Sequence, residues 1–117
     1  MELDEFVTYC LSFPGAVEEM PFGPEVLVYK VGGKMFALAG EEEGVGRVNL
    51  KGDPERNVEL REEYEAVLPG YHMNKRHWNT LVLNGSLPSA LVRDCVRESY
   101  DLVFAALPKK LQAEIRG

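Results

Sequence analysis

The dipeptide Gly32-Gly33 constrains the fold more than any other feature of this chain, because it joins two apolar segments. The segment before it is Glu25–Val31 (EVLVYKV), and the segment after it is Lys34–Gly40 (KMFALAG). Both glycines can adopt the positive φ angles that a two-residue hairpin turn requires. The sequence therefore predicts an antiparallel β-hairpin at this position.

A third strand of the same sheet is predicted over Gly46–Lys51 (GRVNLK). Successive side chains of a strand point to opposite faces of the sheet. Val48 and Leu50 should therefore face the core, whereas the opposite face carries the polar side chains of Arg47, Asn49 and Lys51.

The remaining segments predict helices around this sheet. Hydrophobic spacing indicates helices over Glu2–Ser12, from Asp53 to about Tyr64 and over Ser86–Leu107. Further strands are predicted over Ala16–Met20, Tyr71–Lys75 and Trp78–Leu83, and a short final helix over Lys109–Arg116. The order α-β(3–4)-α-β(2)-α indicates an α+β fold with two layers: an antiparallel sheet of about five to six strands with helices on one face.

Length and composition limit the class of protein. A chain of 117 residues is typical of one domain, so we expect residues 1–117 to form a single unit. No apolar run approaches the roughly 18 residues of a membrane span, and the acidic N-terminus differs from a secretory signal. We therefore expect a cytoplasmic protein without a membrane partner. Cys10 and Cys95 match no ligand or redox spacing, which predicts two reduced, buried thiols.

The charge of the chain is unevenly distributed. The net charge is −6, and an acidic domain repels a phosphate backbone at long range. However, none of the 19 acidic residues lies between Ala66 and Arg93. This window contains Pro69–Asn79 (PGYHMNKRHWN), with the only tryptophan and both histidines of the chain.

Aromatic, cationic and amide side chains this close together are suited to stacking on planar groups or to holding anions. The candidate nucleic-acid or ligand-binding residues are Lys51, Tyr71, His72, Asn74, Lys75, Arg76, His77, Trp78 and Asn79. Alternation leaves their sheet face ambiguous, and a bulge or turn near Asn74 is compatible with the pattern. The alternative is that Trp78 is a core anchor beneath the helices, with Lys75 and Arg76 at an exposed turn.

Catalytic and metal-binding templates are absent from the sequence. It contains no GxSxG, Walker or HExxH motif. His72 and His77 are five residues apart, which on a regular strand places them on opposite faces. We expect no catalytic residue, no metal, no cofactor and no enzymatic activity.

The whole chain resembles the MmcQ/YjbR family of small bacterial proteins. The resemblance rests on FPGA, PFGPEVLVYKVGGKMFAL, VNLKGDPE, LREEY, PGYHMNKRHWNTL, SYDLV and LPKK. It implies a compact α+β fold similar to secretion-chaperone-like or CyaY-like architectures. It also implies a DNA-binding label, which rests on an analogy of fold and transfers no catalytic residue.

Three functional hypotheses follow. The first is a DNA-binding module that uses the basic and aromatic surface, and it ranks first through the family label. The second is a protein that binds or sequesters a planar or anionic small molecule near His77 and Trp78. The third is a protein-interaction adaptor with a chaperone-like fold. The oligomeric state stays open between a monomer and a weak homodimer.

Overall fold

The computed structural model describes residues 1–117 and contains four helices and six strands. The helices are α1 (Leu3–Leu11), α2 (Pro54–Glu63), α3 (Ser89–Ala105) and α4 (Lys109–Arg116). The strands are β1 (Val17–Glu19), β2 (Leu27–Val31), β3 (Lys34–Glu42), β4 (Val45–Lys51), β5 (Val67–Pro69) and β6 (Trp78–Leu83). This order confirms the predicted α+β fold.

All six strands form one antiparallel sheet in the spatial order β1-β2-β3-β4-β6-β5. The long helix α3 packs against β2, β3 and β4, and α2 packs against β5 and β6. The opposite side of the sheet, here called the helix-free face, carries no helix. The sheet therefore has one face that is committed to the core and one that is available for other contacts.

Local sequence explains the main turn and the start of α2. Gly32 and Gly33 have φ angles of 57° and 80°, which confirms the predicted hairpin. The Asp53 carboxylate accepts hydrogen bonds from the N–H groups of Glu55 and Arg56, each at 3.1 Å. These N–H groups have no partner within the helix, so the carboxylate caps its first turn.

The core lies between the sheet and the helices, and α3 is bonded directly to the strands. A register shift after Tyr29 makes Phe36 an extra residue of β3, so Phe36 and the following Ala37 are both fully buried. The Ser99 hydroxyl on α3 donates to the Phe36 carbonyl and accepts from the Lys51 N–H. These two bonds fix the height of α3 above β3 and β4.

Two predicted elements differ from the structure. The strand predicted over Tyr71–Lys75 was wrong, because residues 71–77 form turns and the partner of β6 is Val67–Pro69. Three residues are too few to show an alternating pattern. Helix α3 begins at Ser89 rather than at Ser86, since the residue before a proline is disfavoured in helical conformation and Pro88 follows Leu87.

One row of paired residues crosses the helix-free face. Val28 pairs with Leu38, Leu38 with Asn49, and Asn49 with Thr80. Val28, Asn49 and Thr80 are only 2%, 7% and 2% exposed although no helix covers them. Loops 20–26 and 70–77 border this row, so the helix-free face is recessed rather than flat.

The helices of this fold are short or amphipathic. None of them combines the length and the apolar character needed to cross a bilayer.

Candidate functional site

Asn74 organises the turn over residues 70–77. Its Oδ1 accepts hydrogen bonds from the backbone N–H groups of Arg76 at 2.9 Å and His77 at 3.3 Å. Its backbone oxygen accepts from the N–H groups of His77 and Trp78. Asparagine suits such a position because its side chain can satisfy backbone groups a few residues ahead. The turn that the sequence allowed near Asn74 is present, and the amide oxygen is already engaged in it.

Asn79 lies beneath this turn and is 2% exposed. Its Oδ1 accepts from Arg61 Nη1 at 2.9 Å, and its Nδ2 donates to the backbone oxygen of Asn57 at 3.1 Å. Asn57 in turn donates to the backbone oxygens of Gly52 and Arg76, both at 3.2 Å. This amide network ties the turn to α2, so the Asn79 side chain acts in packing.

Lys75 and Arg76 are exposed on the side of the turn that faces α2. They border a shallow depression of about 770 Å³ together with Glu55 and Glu59. Lys75 Nζ donates to the Gly70 carbonyl at 3.2 Å, and neither cation forms an ion pair. Their positive charge therefore lies beside two carboxylates.

Lys51 and Trp78 are cross-strand neighbours on β4 and β6, and both are half-buried. Trp78 precedes Asn79, whose side chain faces α2, so the indole lies on the helix-free face and not in the core beneath the helices. Gly70 is close to it: a Cβ at Gly70 would lie 2.8 Å from the Trp78 Cβ. The Trp78 side chain is thus a wall element at the edge of this face.

Tyr71 and His72 begin the turn and are exposed, with ring centroids 4.1 Å apart. His72 has a φ of 58°, in the left-handed region that residues other than glycine rarely adopt. Such strained residues cluster at functional sites. His77 is half-buried at the far end of the turn. Nowhere in the chain do three His, Cys, Asp or Glu side chains come close enough to share a metal ion.

The structure therefore divides the nine predicted residues among different surroundings. Tyr71 and His72 border the recessed part of the helix-free face, and Lys51 and Trp78 lie at its edge. Lys75 and Arg76 face α2, whereas Asn74, His77 and Asn79 belong to the turn and its support.

The recess on the helix-free face is a groove of about 650 Å³, here called the sheet groove. Its floor is formed by side chains of β3, β4 and β6, and its two walls by loops 20–26 and 70–77. Six apolar side chains dominate the lining: Phe22, Val26, Met35, Leu38, Tyr71 and Met73. A volume of this size is typical of small-molecule sites in proteins.

Asn49 and Thr80 form the polar centre of the groove floor. The Thr80 hydroxyl accepts from the Tyr71 N–H at 3.0 Å and donates to Asn49 Oδ1. The Asn49 side chain makes no other hydrogen bond, so both N–H donors of its amide group lack a partner within the chain. Buried polar groups normally have partners, and this residue is more than nine-tenths buried. The groove floor therefore offers a fixed hydrogen-bond donor.

The charged groups of the groove are mostly carboxylates. Glu25, Glu41 and Glu42 contribute to its lining, against the single guanidinium of Arg47. Arg47 Nε lies 3.2 Å from Glu42 Oε2, although the N–H is not aligned for a hydrogen bond and has no acceptor. The groove therefore carries a surplus of negative charge.

Both cysteines are free and buried, as the sequence predicts. Burial raises the pKa of the Cys10 thiol from 9.0 to about 12 and that of Cys95 to about 11. A nucleophilic cysteine requires a lowered pKa, so these thiols are packing groups.

Sequence reasoning missed the groove because its lining comes from separate segments. It did place Asn49 on the polar side of β4, and alternation placed Thr80 on the same side as Trp78. The row that joins them depends on the pairing of β4 with β6, which are separated by α2 and β5. Phe22 lies in a loop, and no periodic pattern indicates where a loop folds.

Comparison with known sequences gives a consistent family. A model of the YjbR family matches residues 11–102. The chain is 43% identical over 96 residues to the uncharacterized protein YbdF of Escherichia coli O157:H7, covering 82% of this chain and 79% of YbdF. It is 34% identical over 110 residues to the uncharacterized protein YjbR of Escherichia coli K12, covering 94% and 93% of the two chains.

Solved structures share the fold. The crystal structure of protein DR2400 from Deinococcus radiodurans superposes with a TM-score of 0.91 at 37% identity, covering 98% of this chain and 88% of that one. A crystal structure of a Pseudomonas syringae protein gives a TM-score of 0.77 at 27% identity, covering 88% and 99%. Since the family model spans residues 11–102 and relatives align over most of their length, the chain belongs to the YjbR family.

Proposed function

We propose that this protein binds a small, flat, largely apolar molecule in the sheet groove. The observation that carries the proposal is the buried Asn49 amide group, whose N–H donors lack a partner at the floor of an otherwise apolar recess. Leaving a buried donor unpaired costs about 1–3 kcal/mol. A ligand with a carbonyl or ring-nitrogen acceptor would remove this penalty.

The walls of the groove support a flat ligand. Phe22 and Tyr71 are 72% and 68% exposed on the two bordering loops. Exposed aromatic rings at the rim of an apolar recess mark contact surfaces, because stacking on a planar partner buries them. Met35 and Met73 add flexible thioether side chains that adapt to the outline of a ligand.

A panel of uncharged planar compounds that includes anthracene-9-carboxamide tests the proposal. We expect at least one compound to bind saturably, to change Trp78 emission and to shift the NMR signals of the Asn49 amide group. Leu38→Glu should abolish binding because it places a charge on the groove floor. Leu102→Glu makes the same change at an exposed site on α3 and should leave binding intact. A panel without saturable binding would contradict the proposal.

DNA binding is the second candidate, and the observation that favours it is the unpaired, exposed pair Lys75 and Arg76. Against it, these cations lie beside Glu55 and Glu59 and face α2, whereas Lys51 belongs to the helix-free face.

A nucleic-acid surface at these cations has a clear signature. If the cations form one, affinity for duplex DNA should fall steeply with salt. The double change Lys75→Glu and Arg76→Glu should then eliminate it, whereas the same change at Lys109 and Lys110 on α4 should not. Absence of binding to single-stranded and duplex DNA at low salt would refute this candidate.

A further inference from the structure

The charges around the sheet groove point to the charge of its ligand. Glu25, Glu41 and Glu42 stand against Arg47, and Glu42 already accompanies that guanidinium at 3.2 Å. This leaves the carboxylates of Glu25 and Glu41, both exposed, without a cation in the groove.

The cations nearest to the groove do not compensate these carboxylates. Lys30 on the helix-free face is paired with Glu19 at 2.9 Å. Lys51 lies four residues from Arg47 along β4, or roughly 13 Å, and does not line the groove. An anionic ligand would therefore meet a surface of its own sign.

The aromatic walls strengthen the same preference. The faces of Phe22 and Tyr71 are exposed at the groove. Aromatic faces carry negative electrostatic potential and attract cations within about 6 Å of the ring centre. Carboxylates and aromatic faces thus act together on a positively charged group, while Asn49 requires an acceptor.

We infer that the ligand of the sheet groove is a planar aromatic molecule that carries a positive charge and a hydrogen-bond acceptor. This inference rests on the proposed function and specifies its ligand class. The acceptor binds the Asn49 amide group, the ring lies between the loop walls, and the positive group lies beside Glu25 and Glu41. It departs from the anionic ligand that the basic segment of the sequence suggested.

Three matched probes test the inference. They are anthracene-9-carboxamides whose amide nitrogen carries an aminoethyl, a propyl or a carboxymethyl arm, so that ring and carbonyl are constant and only the charge differs. Trp78 quenching gives their affinities. We expect the order aminoethyl, propyl, carboxymethyl, with about two- to fivefold between neighbours for exposed charges. Added salt should reduce the differences and leave the propyl compound unaffected.

Carboxylate variants assign the preference to the groove. Glu25→Gln and Glu41→Gln should each weaken the aminoethyl compound about two- to fivefold while the propyl compound keeps its affinity. Glu62→Gln, an exposed position on α2, should change neither. If the propyl compound binds as tightly as the aminoethyl compound, the inference fails and the proposed function stands. If none of the three binds, both fail.

Discussion

At the scale of single residues, the turn over residues 70–77 depends on buried amides rather than on apolar packing. Asn57 is 3% exposed and donates to the carbonyls of Gly52 and Arg76, while its own carbonyl accepts from Asn79. One side chain therefore joins the end of β4, the turn and β6. A wall of the sheet groove is held in place from the opposite side of the sheet.

Asn57→Ala should destabilise the protein by about 2–4 kcal/mol, because it leaves two buried carbonyls without donors. Urea denaturation measures this loss. Hydrogen exchange of the His77 and Trp78 amides should also accelerate, since both are bonded inside the turn. Asn84→Ala is the control: that side chain is exposed and bonds only within its own turn, so we expect a change below about 1 kcal/mol. Equal losses for the two variants would contradict the network.

The buried thiols and Tyr29 make stability depend on alkaline pH. The pKa of Cys10 rises from 9.0 to about 12 and that of Cys95 to about 11, each mainly by burial. The pKa of Tyr29 also rises through burial and its hydrogen bond to Glu18. Above about pH 9 the unfolded chain loses these protons while the folded protein keeps them, so the unfolded state binds fewer protons.

The free energy of unfolding should therefore decrease above about pH 9. The slope should be about 1.4 kcal/mol per pH unit for each group that is ionised only in the unfolded state. Urea denaturation between about pH 8 and pH 11 measures it. Cys10→Val removes one group, and its curve should be shallower than that of the unchanged protein. Parallel curves would show that Cys10 does not contribute.

At the scale of elements, the hairpin between β2 and β3 is also a contact surface for the C-terminal part of the chain. Gly32 and Gly33 both have positive φ angles, but their surroundings differ. A Cβ at Gly32 would lie 2.7 Å from Leu107 Cδ1 and 3.1 Å from Leu111 Cδ2, whereas a Cβ at Gly33 would meet nothing within 4 Å.

Alanine substitution should separate these two roles. Gly33→Ala carries only the backbone penalty of the left-handed region, about 1–2 kcal/mol. Gly32→Ala adds a steric conflict with Leu107 in the packed interior, a further 1–3 kcal/mol or so. Thermal denaturation of both variants tests the difference. Equal destabilisation would mean that α4 and its linker move away from the hairpin at no cost.

Elements with a long pattern were predictable, and short or irregular ones were not. The two-glycine hairpin, the alternation of β4 and the capped start of α2 each contain local information, and all three are confirmed. Strand β5 has three residues and ends at Pro69, so nothing local distinguishes it from a loop. Pairing with β6 gives it strand geometry, and that pairing is a property of the whole sheet.

The candidate site was predictable only in part, for the same reason. Tyr71 and His72 stood out by composition, and the structure places them at the sheet groove. Asn79 stood out equally but is buried in the amide network. Composition identifies unusual side chains, whereas exposure depends on turn geometry and on strands that are distant in sequence.

At the scale of the whole molecule, the two faces of the sheet have different tasks. One face joins the helices into a core of 22 buried residues, and the other exposes a groove between two loops. The radius of gyration is 13.6 Å, close to the 13.4 Å or so expected for one compact domain of this length. The groove floor belongs to the same strands as the core, so groove and core should be lost together.

Unfolding should therefore be a single cooperative transition, as the prediction of one domain over residues 1–117 requires. Trp78 reports on the helix-free face, and far-ultraviolet circular dichroism reports mainly on the helices of the opposite face. We expect the two urea transitions to coincide, with a slope of about 1–2 kcal/mol per molar urea. An earlier Trp78 transition would show that loop 70–77 opens independently of the core, and the groove would then lack the fixed walls that selective binding requires. Coinciding transitions in the Asn57→Ala variant as well would show that the amide network couples to the core rather than to the turn alone.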